Sequence, residues 1–112
     1  MDRPFDIIAT RIIDVIDDFG HPTRQAFVHI GRPWQEPTGE WALPYQIAGL
    51  GKGKIYHVHG FDAIQALQGV HVVIGSVLAS SDEGKQGRLR WEADSKLGYL
   101  GFPLPPEPKV NQ

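Results

Sequence analysis

Apolar and polar residues alternate along much of the first half of the chain, which is the pattern of half-buried strands. Residues 5–16 are rich in Ile and Val and fit two interleaved sets of period two, so they predict a strand whose inward face stays open. Residues 25–32 alternate with Ala26, Val28 and Ile30 on one face. Between them, residues 17–23 concentrate Asp, Gly and Pro, which are turn residues. The two strands are therefore expected to form a hairpin.

Two further strands are predicted on either side of a glycine-rich turn. Residues 33–40 carry two prolines and a glycine and indicate a surface loop. Residues 41–48 alternate again, but Pro44 cannot donate a backbone hydrogen bond, so this strand is expected to lie at a sheet edge or to be bulged there. Gly49, Gly51 and Gly53 then lead into a fourth strand over residues 54–59.

A helix is predicted over residues 62–80, with Asp62 as its N-cap. A helical wheel gives a core face made of Ala63, Leu67, Val70, Ile74, Val77 and Leu78. The opposite face holds Gln65, Gln68, Gly69, Val72 and Ser76. No charged residue occurs between Ala63 and Ser81, whereas exposed helix faces usually carry charge, so we expect a further segment of chain or a second subunit to cover this face. The predicted interface residues are Gln65, Gln68, Val72 and Ser76.

The C-terminal part of the chain predicts less regular structure. Residues 88–92 alternate well enough for a short fifth strand with Leu89 pointing inward. Residues 96–104 are apolar but broken by Gly and Pro, and indicate an extended segment held by Tyr99, Leu100 and Phe102. We expect a single α+β domain over residues 1–104. In it, an antiparallel meander of four to five strands packs one face against one long helix. A flexible Pro-rich tail is expected over residues 105–112.

Composition narrows the function classes. A chain of 112 residues is of single-domain size and long enough to bury about two-thirds of its unfolded surface. It contains no cysteine, which rules out disulfides, thiol enzymes and Cys-ligated zinc. The 11 Lys and Arg are scattered and balanced by 13 Asp and Glu, so nucleic acid is not an expected partner. Without a signal-peptide pattern or an apolar run of spanning length, a cytoplasmic protein with no membrane contact is expected.

Two short motifs invite a chemical interpretation. GLGKGK, over residues 49–54, resembles a phosphate-binding loop, but its spacing is wrong and strand-like residues follow it where a helix is required. It predicts a hairpin turn. His57 and His59 lie two apart on a strand, so both imidazoles project from one face and could share a metal ion. The third ligand would come from His29, His71 or Asp62, although solvent-facing histidines and helix capping by Asp62 are the simpler interpretation.

Several stretches together resemble a known family. They are PYQIAGLG at residues 44–51, DAIQAL at 62–67, and the shorter ATR, IGRP, LRW and GFP at residues 9–11, 30–33, 89–91 and 101–103. The chain is similar over nearly its whole length to a family of small uncharacterised bacterial domains of unknown function. The resemblance implies a bacterial cytoplasmic protein, assigns no catalytic residue, and does not call for histidines at positions 57 and 59.

These observations favour a non-enzymatic binding or interaction module that forms a homodimer through the uncharged helix face, with no cofactor. One alternative is a small metal-dependent enzyme that uses His57 and His59. Another is an immunity or antitoxin-like protein that neutralises a toxin, which fits the size and the mild acidity of the chain.

Overall fold

The structure is a computed structural model and describes residues 5–92 and 100–103. The elements in chain order are β1 (Ile7–Ile16), β2 (Pro22–Gly31), β3 (Trp34–Gln35), β4 (Trp41–Ala48), β5 (Ile55–Gly60), α1 (Ala63–Ser80), α2 (Asp82–Lys85) and β6 (Leu89–Arg90). The predicted α+β class is confirmed, since the strands form one antiparallel sheet and one long helix packs on it. Tyr99, Leu104 and the predicted tail over residues 105–112 lie outside the described residues.

The sheet is a meander extended by two short strands. β1 pairs with β2, β2 with β4, and β4 with β5, all antiparallel. The two-residue strand β6 joins the outer side of β1, where Val15 faces Leu89. β3 pairs with Trp41 and Ala42 of β4 and continues the line of β2 after a break at Arg32 and Pro33. The order across the sheet is therefore β6, β1, β2 together with β3, β4 and β5.

Pro44 explains the break between β2 and β3. We expected the strand that contains this proline to be either an edge or bulged near Pro44, and the edge alternative is wrong because β4 has neighbours on both sides. The pairing of β2 with β4 stops at Ile30 and Tyr45, one residue before Pro44, and β3 resumes it at Ala42. The ladder is thus interrupted where proline has no N–H to donate. Gly31 faces Pro44 so closely that any Cβ atom would collide with the proline ring.

One face of the sheet forms the core with α1. Alternate residues of β1, β2 and β4 point to this face, which also settles the inward face of β1, and they meet one side of the helix. The buried strand residues are Ile13, Val15, Ala26, Val28, Ile30, Leu43, Tyr45 and Ile47. The buried helix residues are Ala66, Val70, Ile74, Gly75 and Leu78. Two wheel positions were wrong: Val77 stays 40% exposed and Gly69 packs on β5.

The C-terminal segment covers the part of this face that α1 leaves open, over β1 and β2. Leu100 and Phe102 are buried in the core, as predicted for this stretch. Arg11 of β1 donates a hydrogen bond to the carbonyl oxygen of Leu100, and its guanidinium stacks 3.9 Å from the ring centre of Trp91 and 4.9 Å from that of Phe102. The segment is therefore joined to the sheet by both apolar and polar contacts.

Candidate interaction surface

The four predicted interface residues of α1 lie on the side of the helix that is turned away from the core. Gln65, Gln68 and Val72 are exposed, Val72 to 47%, and Ser76 is half-buried. We call these four residues the outer helix face. Ile64, next to this face at the start of the helix, is 68% exposed. The surface is apolar and amide in character and carries no charge, but its role as an interface stays a prediction.

The start of α1 is fixed by a reciprocal cap, which confirms Asp62 as the N-cap. The Asp62 carboxylate accepts a hydrogen bond of 2.7 Å from the backbone N–H of Gln65, and the Gln65 side-chain oxygen accepts one of 2.7 Å from the N–H of Phe61. The spacing D-x-x-Q is the signal of this arrangement, and we did not use it at the sequence level. Gln65 is thus held in place by the cap, and the neighbouring Phe61 is 84% exposed.

The outer helix face borders the edge of the sheet. A Cβ atom on Gly69 would lie 3.2 Å from Cγ1 of Val58, so α1 contacts β5 at Gly69, at the margin of the outer helix face. Three residues of the outer helix face lie on the same side of α1 as Gly69, because helical spacings separate them from it. They are Gln65, four residues away, Val72, three residues away, and Ser76, seven residues away. Among the described residues, β5 pairs with β4 alone, so its second backbone edge is free. A free strand edge and an uncharged helix face therefore form one continuous surface.

The free edge of β5 has the features of a strand that can accept another strand. It spans six residues, contains no proline, lysine or acidic residue, and most of its side chains are exposed. Native proteins usually protect such edges with charges, prolines or bulges, because an unprotected edge pairs readily with another chain. This surface can thus supply backbone hydrogen bonds as well as side-chain contacts.

His57 and His59 project from the opposite face of the sheet. They pair with Pro44 and Ala42 of β4, whereas Val58 and Tyr56 pair with the buried Leu43 and Tyr45. Both histidines are exposed. The rings of His57 and Trp34 meet edge to face, with centres 5.4 Å apart. The spacing argument that puts both imidazoles on one face agrees with this register.

The proposed third metal ligands do not join the two histidines. His29 shares a 2.8 Å hydrogen bond with the Thr10 hydroxyl, between β1 and β2. His71 bonds the carbonyl oxygen of Leu67 within α1, and Asp62 caps that helix. Within residues 5–92 and 100–103, no group of three or more His, Cys, Asp or Glu side chains could hold a metal ion. Among these described residues, metal binding by His57 and His59 would therefore rest on two protein ligands.

The glycine-rich stretch forms the β4–β5 turn. Gly49, Gly51 and Gly53 all have positive φ, and a strand follows them. Beside this turn, the aromatic rings of Tyr45 and Tyr56 stack with centres 5.8 Å apart. Burial raises the pKa of the Tyr45 hydroxyl, and the nearby Tyr56 raises it further. The turn closes the end of the sheet and lacks the helix N-terminus that a phosphate-binding loop needs.

A small apolar cavity lies between the two helices and the C-terminal segment. It has a volume of about 110 Å³ and is lined mainly by aliphatic and aromatic groups, including Leu78, Leu89, Leu100 and Phe102. No charged or amide side chain lines it. A cavity of this composition has no group that could orient or activate a substrate, so it is a packing feature of the core.

Within the described residues, α1 is the one helix that is long and apolar enough to cross a membrane: its 18 residues have a mean hydropathy of 1.5. Core helices of water-soluble domains meet the same criterion, and the buried residues of α1 pack on the sheet. The apolar character of α1 is thus divided between a packed inner face and the outer helix face.

Comparison with known proteins gives one match. No curated protein and no solved structure matches the chain. A family model described as Domain of unknown function (DUF6968) matches residues 9–104. This range covers α1, α2 and all the described strands except the first two residues of β1, and it includes Leu100 to Phe102 of the C-terminal segment. The family carries no assigned activity, in agreement with the resemblance seen in the motifs. The chain therefore belongs to the DUF6968 family of domains of unknown function.

Proposed function

We propose that this domain is a non-enzymatic interaction module of the bacterial cytoplasm that forms a homodimer through the free edge of β5 and the outer helix face. The observation that carries the proposal is the continuity of these two features. Within the described part of the chain, no strand pairs with the second edge of β5, and this edge adjoins an exposed helix face without a single charge. Each feature alone is common, but together they offer hydrogen bonds and apolar area on one side of the molecule.

The symmetry of such a dimer follows from the position of the surface. Two β5 strands pair antiparallel about a twofold axis perpendicular to the sheet, which is the self-complementary arrangement of most homodimers. The axis keeps both α1 helices on the same side of a continuous sheet. Because Gly69 rests on Val58 at the edge, the two outer helix faces then meet across the axis. Val72 supplies the apolar contact, and Gln65 and Ser76, on the same side of α1, supply hydrogen bonds.

A second copy fits this surface better than a lipid bilayer does. The outer helix face contains two glutamines and a serine beside Val72, and a neighbouring strand edge exposes peptide groups. Unpaired peptide groups and amides are costly in hydrocarbon but find partners in a second protein chain. Lysine and arginine, which attach peripheral helices to anionic lipids, do not occur within α1.

The two alternatives have less support. A metal-dependent enzyme would need a third ligand and a substrate site beside His57 and His59, and the described part of the chain supplies neither within one copy. An immunity or antitoxin-like role remains a prediction from size and charge. The dimer proposal is the one for which particular residues and contacts argue.

Size-exclusion chromatography with light scattering tests the proposal on the full chain without an affinity tag, over a series of micromolar concentrations. The expected mass is twice the chain mass of 12.4 kDa, falling toward one chain on dilution. Amide hydrogen exchange of the same samples should show protection of β5 that decreases in parallel. A monomer at every concentration, or a dimer in which β5 exchanges as a free edge, would overturn the proposed surface.

A further inference from the structure

His57 and His59 are two possible metal ligands on one face of the sheet. Their positions two apart on β5 project both imidazoles from the face of the sheet opposite α1, and both side chains are exposed. Tetrahedral metal sites in proteins need four ligands, or three ligands and a water. The described residues of one chain offer no third ligand near these two. A tetrahedral site therefore needs a second half beyond these described residues.

The dimer proposed above supplies that half by symmetry. In an antiparallel pair of β5 strands centred on Val58, residue 57 of one copy lies opposite residue 59 of the other. Side chains directly opposite each other across antiparallel strands have Cβ atoms about 4.5–5.5 Å apart. The two copies therefore bring four imidazoles into two adjacent rows on one face, around the twofold axis.

We infer that His57 and His59 of two copies together bind one divalent transition-metal ion of the zinc or nickel class, at the twofold axis of the β5 pair. The inference rests on the proposed homodimer. Imidazole nitrogen is a preferred ligand of these ions, whereas magnesium and calcium need oxygen ligands. Four protein ligands close the coordination sphere, so the site is structural and strengthens the dimer rather than activating water.

The surroundings of the histidines allow both imidazoles to reach solvent. Both are exposed, whereas Pro44 and Ala42, across the ladder from them on β4, are buried. The centre of the His57 ring lies 5.4 Å from that of Trp34, and the ring leaves this contact when it turns toward the axis. The helices lie on the other face of the sheet, so metal binding and helix contact do not compete for space.

Calorimetric titration of zinc chloride into the tag-free full chain tests the inference. One zinc ion per two chains is expected, and light scattering should show that zinc shifts the dimer to lower concentrations. Loss of a residue that only hydrogen-bonds to a metal ligand weakens metal binding roughly 10- to 100-fold. His59→Ala and His57→Ala each remove a ligand itself, so each should weaken zinc binding by more than that. His21→Ala is the matched control, because His21 is exposed in the β1–β2 turn and should leave binding unchanged.

The outcomes separate this inference from the proposal beneath it. A metal-independent dimer that binds no zinc, or one whose affinity is unchanged in His59→Ala, overturns the metal site and leaves the dimer standing. One zinc ion bound per monomer also overturns it. A chain that is monomeric until zinc is added, and then dimerises through His57 and His59, supports the site and overturns dimerisation by the apolar surface alone.

Discussion

Gly75 of α1 lies directly against the backbone carbonyl of Pro103, so closely that a Cβ atom at position 75 would overlap with the carbonyl oxygen. The same Cβ atom would also lie 3.3 Å from the Cβ atom of Phe102. The C-terminal segment thus crosses the helix at a residue without a side chain, and this crossing lets Phe102 reach the core cluster that also contains Val28 and Ile74.

Gly75→Ala should destabilise the domain despite the higher helix propensity of alanine. Alanine favours a helix by about 1 kcal/mol over glycine, but a methyl group forced into backbone atoms costs about 1–3 kcal/mol and displaces the segment. We expect a lower thermal midpoint and faster proteolysis after residue 92. Gly69→Ala is the matched control, because its methyl group would meet only a movable Val58 methyl. Equal or higher stability of Gly75→Ala would contradict the close contact.

Much of the architecture could be predicted because its causes are local. Period-two alternation, the Asp-Gly-Pro turn, the glycine turn and the Asp62 cap are all short-range patterns, and each gave an element or a boundary that the structure contains. Contacts between distant segments could not be predicted in this way. Gly75 gives no sequence signal of Pro103, and the interior position of β4 depends on its pairing with β2, which is distant along the chain.

The candidate surface was predictable in part for the same reason. The absence of charge in α1 is visible in the sequence, and the wheel gave Gln65, Gln68 and Val72 exposed positions that the structure also shows. Which strand lies beneath that face depends on strand order, which no local pattern specifies. Gly69 was therefore assigned to the exposed face, although it packs on Val58.

Removal of the Arg11 guanidinium should loosen the C-terminal segment. Arg11→Ala loses two cation–π contacts, each worth about 0.5–2 kcal/mol, and a hydrogen bond to the Leu100 carbonyl. We expect a loss of roughly 2 kcal/mol in the free energy of unfolding, measured by urea denaturation. Arg32→Ala, which breaks an exposed ion pair with Asp6, should cost at most about 1 kcal/mol. Similar losses in both variants would count against the stacking role.

Loss of the N-cap of α1 should cost about 1 kcal/mol. Asp62→Ala removes the oxygen that accepts the backbone N–H of Gln65, and such substitutions typically cost 0.5–2 kcal/mol. Asp62→Asn retains an acceptor oxygen and should be close to wild type in stability. Urea denaturation of both variants measures the difference. If Asp62 acts only through its charge, alanine and asparagine will destabilise the protein equally.

Tyr45 should ionise later than an ordinary tyrosine. Its pKa is raised above the usual value of 10.0 by burial and secondarily by Tyr56, so the folded state resists ionisation more than the unfolded state. This contribution to stability is present below pH 10 and is lost as the pH rises through the folded pKa. Titration of tyrosinate absorbance should show a late component that Tyr45→Phe removes. Tyr56→Phe should lower the pKa of this late component only in part. A late component that persists in Tyr45→Phe would refute its assignment to Tyr45.

A negative charge in the outer helix face should separate the proposed dimer without unfolding the chain. Val72 is 47% exposed in one copy, so Val72→Glu costs little within the monomer but brings two carboxylates together across the twofold axis, where like charges cost several kcal/mol. We expect a monomer by light scattering, with dimer affinity reduced at least tenfold, and an unchanged far-ultraviolet circular dichroism spectrum. Phe19→Glu, at a site that is 83% exposed in the β1–β2 turn, is the matched control and should remain dimeric. If Val72→Glu changes neither assembly nor stability, the outer helix face contacts only solvent, and the lack of charge in α1 has no role in association.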